Sequence, residues 1–187
     1  PAEVGSQALH LILELLKDQG SVEEYQECLE LISRLLKTNV DHDAAVANAS
    51  MVVAETGNIE IFLELLEHED GLIGIMGSDL LRDIHAVVPA ALEKAIHDCP
   101  AGMNKLLHRV ADRSREEVGN QALVLIQQLT LTNEEMKKTV AFNEGFDILF
   151  NIITQEGGVS DPGVVVEDCL RVCCNILDES EICQRLF

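Results

Sequence analysis

The residues best suited to chemistry lie late in the chain, where VVEDCLRVCCNIL (165–177) brings Cys169, Cys173 and Cys174 close together. Thiolates act as nucleophiles, zinc ligands and redox partners, so the run raises all three possibilities. On a helix Cys169 and Cys173 share a face one turn apart, and Cys174 is rotated about 100° from Cys173. That spacing permits a site without demanding one. Cys28, Cys99 and Cys183 complete the set, and no C-x-x-C pair of the zinc or thioredoxin kind occurs. In an intracellular setting these cysteines are expected as free thiols rather than a disulfide framework.

The histidines His10, His42, His68, His85, His97 and His108 show no H-E-x-x-H or comparable ligand spacing, and HDC at 97–99 sends three potential ligands in diverging directions at a helix end. Serine and histidine form no nucleophile elbow or triad motif, and no Gly-rich phosphate loop follows a strand. No catalytic residue, cofactor-binding residue or metal ligand is therefore assigned, and the chain is expected to be neither an enzyme nor a cofactor carrier.

Composition narrows the class further. With 187 residues, 47% hydrophobic content and a mean hydropathy of +0.13, the chain can bury a sizeable core. Thirteen basic residues against 33 acidic ones give a net charge of −20, which repels phosphate backbones and anionic lipid, so no nucleic-acid partner is expected. No apolar run approaches the ~18–20 residues of a membrane span, and PAEVGSQALH lacks the basic end and apolar centre of a signal peptide. A soluble, intracellular protein without direct membrane insertion is expected. The start at Pro1 and the end inside ESEICQRLF read as those of a piece of a longer chain.

The elements that would position any site are helices. ALHLILELL, CLELISRLL, IFLELLE, LLRDIHAVV, ALVLIQQL and FDILFNII all carry apolar residues at i, i+3, i+4 spacing. Ser21 with Glu24, Ser114 with Glu117 and Thr132 with Glu135 predict capping boxes, and Asp161 before Pro162 predicts a cap with proline at the first helical position. Gly57, Gly102 and Gly145 recur at a spacing that aligns Ile61, Leu106 and Leu149, then Phe62, Leu107 and Phe150, then Leu65, Val110 and Ile153. In the helix that follows, Leu29, Leu81, Leu123 and Leu170 share a column. Ile32, Ile84, Ile126 and Cys173 form a second, and Leu35, Val87, Leu129 and Ile176 a third. A period near 40 residues predicts an all-α, armadillo- or HEAT-like solenoid, a right-handed superhelix of about four repeats. The approximate repeats are 1–56, 57–101, 102–144 and 145–187, within one domain spanning 1–187.

The columns also decide the cysteines. Cys173 takes the place of isoleucines, and Cys169 falls with Cys28, Leu80 and Ala122, so both are expected as small hydrophobes in the core. Cys174 falls with Ser33, His85 and Gln127, a polar column, and is expected to be partly accessible. In a superhelical stack such columns line one concave face, which makes Arg82, His85, Gln127, Gln128, Arg171 and Asn175 the candidate partner-binding residues. The acidic runs EEYQE (23–27) and EHED (67–70) read as solvated helix ends, or as docking surfaces for a basic partner.

The segment SREEVGNQALVLIQQLTLTNEEMKKTVAFNEGFDILFNIITQEGG, with TVAFNEGFDILFNII (139–153) and VVEDCL (165–170) as its most specific pieces, resembles the armadillo-like globular head of the general vesicular transport factor family. Val140, Ala141, Phe142, Phe146 and Leu149 carry the match, and VGSQALHLILELL near the start resembles an early head repeat. Residues 40–112 match as a repeat pattern. The chain departs from the family where Asn143 and Glu144 replace the usual Glu-Asn order and where the Cys173–Cys174 pair replaces aliphatic residues.

The resemblance implies a non-catalytic vesicle tether of ER-to-Golgi and intra-Golgi transport, cytoplasmic and peripheral on Golgi membranes and transport vesicles. It implies Rab-type small GTPases, SNAREs and Golgi matrix proteins as partners, and homodimerisation of the whole protein through a coiled coil. Two other readings compete: an armadillo-type adaptor for basic peptides or cargo, and a redox or metal enzyme using the region from Cys169 to Cys183. Peptide-binding grooves of the first kind rely on tryptophan and asparagine ladders, and this chain has no Trp.

Overall fold

The computed structural model describes residues 2–17, 20–37, 42–160 and 162–187, with side chains from residue 7 onward. The described residues form helices and no strand, as the apolar periodicity requires. Two compact units result. The first, Pro1–Gly102, contains α1 (Ala2–Lys17), α2 (Val22–Leu36), α3 (His42–Ala54), α4 (Thr56–Leu65), α5 (Gly71–Val87) and α6 (Pro89–Asp98). α7 (Gly102–Ala111) begins at the boundary. The second unit, Met103–Phe187, continues with a 3₁₀ turn (Arg113–Arg115), α8 (Glu116–Leu129), α9 (Glu134–Phe142), α10 (Gly145–Gln155), α11 (Val164–Leu177) and α12 (Glu181–Leu186).

Within each unit a shorter pair of helices leads into a longer one. α3, α4 and α5 pack on one another in the first unit, and α9, α10 and α11 do so in the second. The longer helices also stack, α2 on α5 and α8 on α11. This three-helix repetition is the armadillo-like pattern. The columns read from sequence lie at its seams. Ile32, Ile84, Ile126 and Cys173 are all buried, as are Leu29, Leu81 and Leu123, while Leu170 is half-buried. Leu35 and Val87 are half-buried, and Leu129 and Ile176 are buried. Truncating one such leucine or isoleucine to alanine costs ~2–5 kcal/mol, which is why the seam tolerates few polar residues. Phe150 departs from its column: Phe62 and Leu107 are buried, but Phe150 is exposed and packs with Phe146 and Phe187, at centroid distances of 6.5 and 6.0 Å.

Helix starts follow whichever oxygen reaches the free N–H groups first. At α2 the predicted capping box forms: Ser21 Oγ accepts from Glu24 N (3.3 Å) and Glu24 Oε2 accepts from Ser21 N (2.7 Å). Ser114 does not cap α8, because Asp112 Oδ1 accepts the Ser114 N–H at 2.9 Å and turns the chain into the 3₁₀ segment before Glu116. Thr132 is likewise pre-empted by Asn133, whose Oδ1 accepts from Glu135 N and Met136 N at 3.0 and 3.1 Å. α11 has Gly163 as its N-cap with Pro162 outside the helix; Asp161 lies outside the described residues.

Two buried cations close helix ends in the second unit. Arg109, fully buried, donates from Nη2 to the Asp112 carbonyl (2.9 Å) and pairs with its carboxylate (2.6 Å). Lys137 Nζ donates to the Asp178 carbonyl at the end of α11 (2.8 Å) and pairs with Glu134 (3.1 Å). Both occupy the electronegative end of a helix, where carbonyls lack intrahelical donors. Hydrogen bonds from Ser114, with the Arg109 guanidinium beside it, hold the Asp112 carboxyl well below the usual carboxylate range.

The turn between α9 and α10 spans only Asn143 and Glu144. Glu144 sits at φ 61°, in the left-handed region that non-glycine residues avoid, and a Cβ on Gly145 would lie 2.5 Å from the Val140 carbonyl oxygen. The exchanged Asn143–Glu144 order thus puts glutamate where asparagine is better tolerated. In urea unfolding, Glu144→Gly is expected to stabilise the fold by about 1 kcal/mol, whereas Gly145→Ala is expected to destabilise it by ~1–3 kcal/mol. Equal effects of the two would refute this account of the turn.

A second expectation concerns acid. Because the folded Asp112 carboxyl is depressed, its stabilisation is complete above the unfolded value of about 3.9 and is lost as pH falls through the folded value. Asp112→Asn should lower stability at neutral pH and flatten the acid limb of the unfolding curve, read by circular dichroism from neutral pH downward. An acid limb unchanged from the wild type would count against it.

Candidate functional site

The candidate partner-binding residues occupy the two units separately. In the first, Arg82 and His85 lie on α5: Arg82 Nη1 donates to Asp79 Oδ1 at 3.3 Å, and His85 Nε2 meets Glu93 Oε1 of α6 at 3.1 Å. Both His85 and Glu93 side chains are largely buried, so this pair ties α5 to α6. In the second unit, Gln127 and Gln128 lie on α8 and Arg171 and Asn175 on α11. The structure joins Asn175 to Gln127 directly, Nδ2 donating to the Gln127 carbonyl at 3.0 Å, with Thr130 Oγ1 at 3.5 Å. Gln128 is half-buried with its Oε1 out of contact with solvent. Arg171 is exposed. The polar column therefore combines side chains that lock neighbouring helices with side chains open to a partner, and Arg171 is the clearest of the latter.

The thiols sort as the columns predict. Cys169 and Cys173 are buried, Cys174 is exposed, and Cys99 and Cys183 are buried elsewhere. Burial pushes the Cys169 thiol up to about 12, with the neighbouring Cys173 adding to the shift. Cys173 rises to about 11 for the same first reason, with Cys174 next to it contributing. A thiol so rarely ionised is a poor nucleophile and a poor metal ligand at neutral pH. Among the described residues no group of three or more histidine, cysteine or acidic side chains could hold a metal ion, and HDC at 97–99 divides into exposed His97 and Asp98 and buried Cys99.

The surface is acidic in detail as well as in total. Lys17, Arg34, Lys94, Lys138 and Arg185 each pair with a carboxylate three or four residues away, Glu14, Glu30, Asp98, Glu135 and Glu181 respectively. Arg113 reaches Glu156 at 2.5 Å and Asn120 at 3.2 Å, bridging α8 and the end of α10. Periodicity gave no signal for Arg109, Lys137 or Arg113: each looks like a surface cation until its partner is placed in space.

No family model matches the chain. Among curated proteins it is 35% identical over 176 residues to Golgin candidate 6 of Arabidopsis thaliana, covering 89% of this chain and 19% of that protein. It is also 32% identical over 197 aligned positions to General vesicular transport factor p115 of Bos taurus, covering 99% of this chain and 20% of that one. The chain belongs to the general vesicular transport factor family. It spans about a fifth of the length of these curated relatives. Among solved structures, the crystal structure of Uso1-1 matches with a TM-score of 0.71 at 25% identity, over 98% of this chain and 29% of that one. Among the described residues, no helix is long and apolar enough to cross a membrane.

Thiol chemistry tests the site directly. In native protein at mildly alkaline pH, Cys174 should react with a thiol reagent ahead of Cys169, Cys173 and Cys183, which should react only on unfolding. Rapid native labelling of Cys169 and Cys173 would revive a redox or metal reading.

Proposed function

We propose that this chain is part of a non-catalytic tethering scaffold of ER-to-Golgi and intra-Golgi transport, in which armadillo-like repeats offer a surface to other proteins. The observation that carries the proposal is the alignment with General vesicular transport factor p115 along nearly the whole chain. The thiols support it, since those in the core behave as packing groups. In this reading the protein is cytoplasmic and peripheral on Golgi membranes and vesicles, where it works with Rab-type small GTPases, SNAREs and Golgi matrix proteins. The whole protein dimerises through a coiled coil. The acidic surface leaves recruitment to proteins rather than to anionic lipid, because like charge opposes adsorption.

Arg171, exposed on α11, is the residue of the polar column best placed to meet a partner. The test is to deplete the protein in cells and restore tagged wild type or Arg171→Glu. Wild type should concentrate at the Golgi and restore secretory cargo transport. Arg171→Glu should fold normally and restore transport several-fold less well. A diffuse or nuclear wild-type pattern with unimpaired secretion after depletion would overturn the tethering reading.

A further inference from the structure

Three hydroxyls share one sequence pattern, S/T-x-E-E: Ser21, Ser114 and Thr132 each precede two carboxylates, at the second and third positions after them. The pattern serves a capping box, in which the hydroxyl closes the start of a helix. It also suits a protein kinase with a basic substrate cleft, because such an enzyme chooses its acceptor by charge complementarity to the acidic residues that follow it. Which use applies depends on what each hydroxyl already does.

The structure separates the three. Ser21 Oγ accepts the Glu24 N–H and so belongs to the start of α2. The Ser114 hydroxyl and N–H both bond to Asp112 within the 3₁₀ turn. Thr132 has no such task, since Asn133 Oδ1 accepts the Glu135 and Met136 N–H groups in its place. Among the described residues Thr132 Oγ1 makes no hydrogen bond, and the residue is exposed in the turn between α8 and α9, after Leu131 at 61% exposure. Its neighbours in sequence do not compete: Thr130, Thr139 and Thr154 each donate to a carbonyl four residues back.

The charge around Thr132 is acidic in space as well as in sequence. Glu134 and Glu135 are exposed in the first turn of α9. Glu134 is also hydrogen-bonded to Ser180, and Lys137 reaches the Asp178 carbonyl, so the turn carrying exposed Asp178 and Glu179 lies against this end of α9. Thr132 is exposed with that neighbouring turn in place, so its access does not depend on what lies beyond either end of the chain. The pairing of Glu135 with Lys138 is a surface contact, weak enough to yield to a kinase's cations.

We propose that Thr132 is a phosphorylation site for an acid-directed serine/threonine protein kinase, with ATP as the donor. Thr132 Oγ1 attacks the γ-phosphorus in line. The new O–P bond forms as the bond from that phosphorus to the β–γ bridging oxygen breaks, ADP leaves, and the hydroxyl proton passes to the kinase's catalytic carboxylate. The product carries close to two negative charges. Because Asn133 already caps α9, the phosphate extends the acidic edge without rebuilding the helix start. The inference stands apart from the tethering role, because it needs only this turn and its charge.

The test incubates the native protein with casein kinase II and magnesium ATP and maps the phosphate by tandem mass spectrometry. Thr132 should be the principal acceptor, with Ser21 and Ser114 modified several-fold more slowly, and Thr132→Ala should remove most of the incorporated phosphate. Glu135→Gln should lower kcat/KM at Thr132 by about tenfold, the loss expected for one charged contact. Asn133→Asp, which keeps the capping oxygen and adds a carboxylate, should raise it. A Thr132 left unmodified in native protein, Ser21 or Ser114 accepting phosphate as fast as Thr132, or a rate indifferent to both Glu135→Gln and Asn133→Asp would each overturn the proposal. Unchanged helicity by circular dichroism separates lost recognition from lost folding in the variants.

Discussion

No helix in this chain can stand alone, and the rest of the structure follows from that constraint. Helices of six to 17 residues are marginal in water, because nucleation is costly and short helices recover too little. Each must bury an apolar face against a neighbour. The solution is repetition: α2 against α5 and α8 against α11, with buried Ile32, Ile84, Ile126 and Cys173 recurring on those helices. Once the longer helices are stacked, their remaining faces are set, and with them which polar side chains tie helices together, as His85 does, and which stay exposed, as Arg171 does.

What was legible in the sequence was what repeats. The columns of the longer helices, the burial of Cys169 and Cys173 and the exposure of Cys174 could be read by registering one segment on another, because all depend on periodicity. Features that depend on competition or on distant partners could not. Ser114 and Thr132 are sound caps by type, yet Asp112 takes the Ser114 N–H that a capping box would give to Glu117, and Asn133 takes the Glu135 N–H that Thr132 would have received. Lys137 is buried because the carbonyl that receives it belongs to Asp178, 41 residues away. His85 sits in a polar column, but Glu93 turns it into a tie between helices. Phe150 fits an apolar column by type, although its actual partners are Phe146 and Phe187.

The same division explains why function was harder to read than fold. A surface proposed to bind other proteins has no reactive centre whose residue types announce it, and its polar residues serve packing as often as recognition. Asn175 illustrates this: its amide satisfies the Gln127 carbonyl across the α8–α11 seam, so its type alone does not tell a partner contact from a structural one. Here the chain's kinship with vesicular transport factors supplies the setting, and the geometry narrows which side chains remain available within it.

The pairing of basic side chains with nearby carboxylates has a thermodynamic consequence. Lys94 with Asp98 and Arg34 with Glu30 are neutralised locally, so the surplus of −20 is left as unbalanced carboxylate spread over the surface. Self-repulsion of this kind opposes the compact state and acts over distances that dissolved ions shorten to about 8 Å at physiological ionic strength. Salt therefore weakens the repulsion between distant carboxylates more than the attraction within close pairs. Dissolved ions are in this sense a component of the fold, and dilution into a low-salt buffer removes part of what holds the helices together.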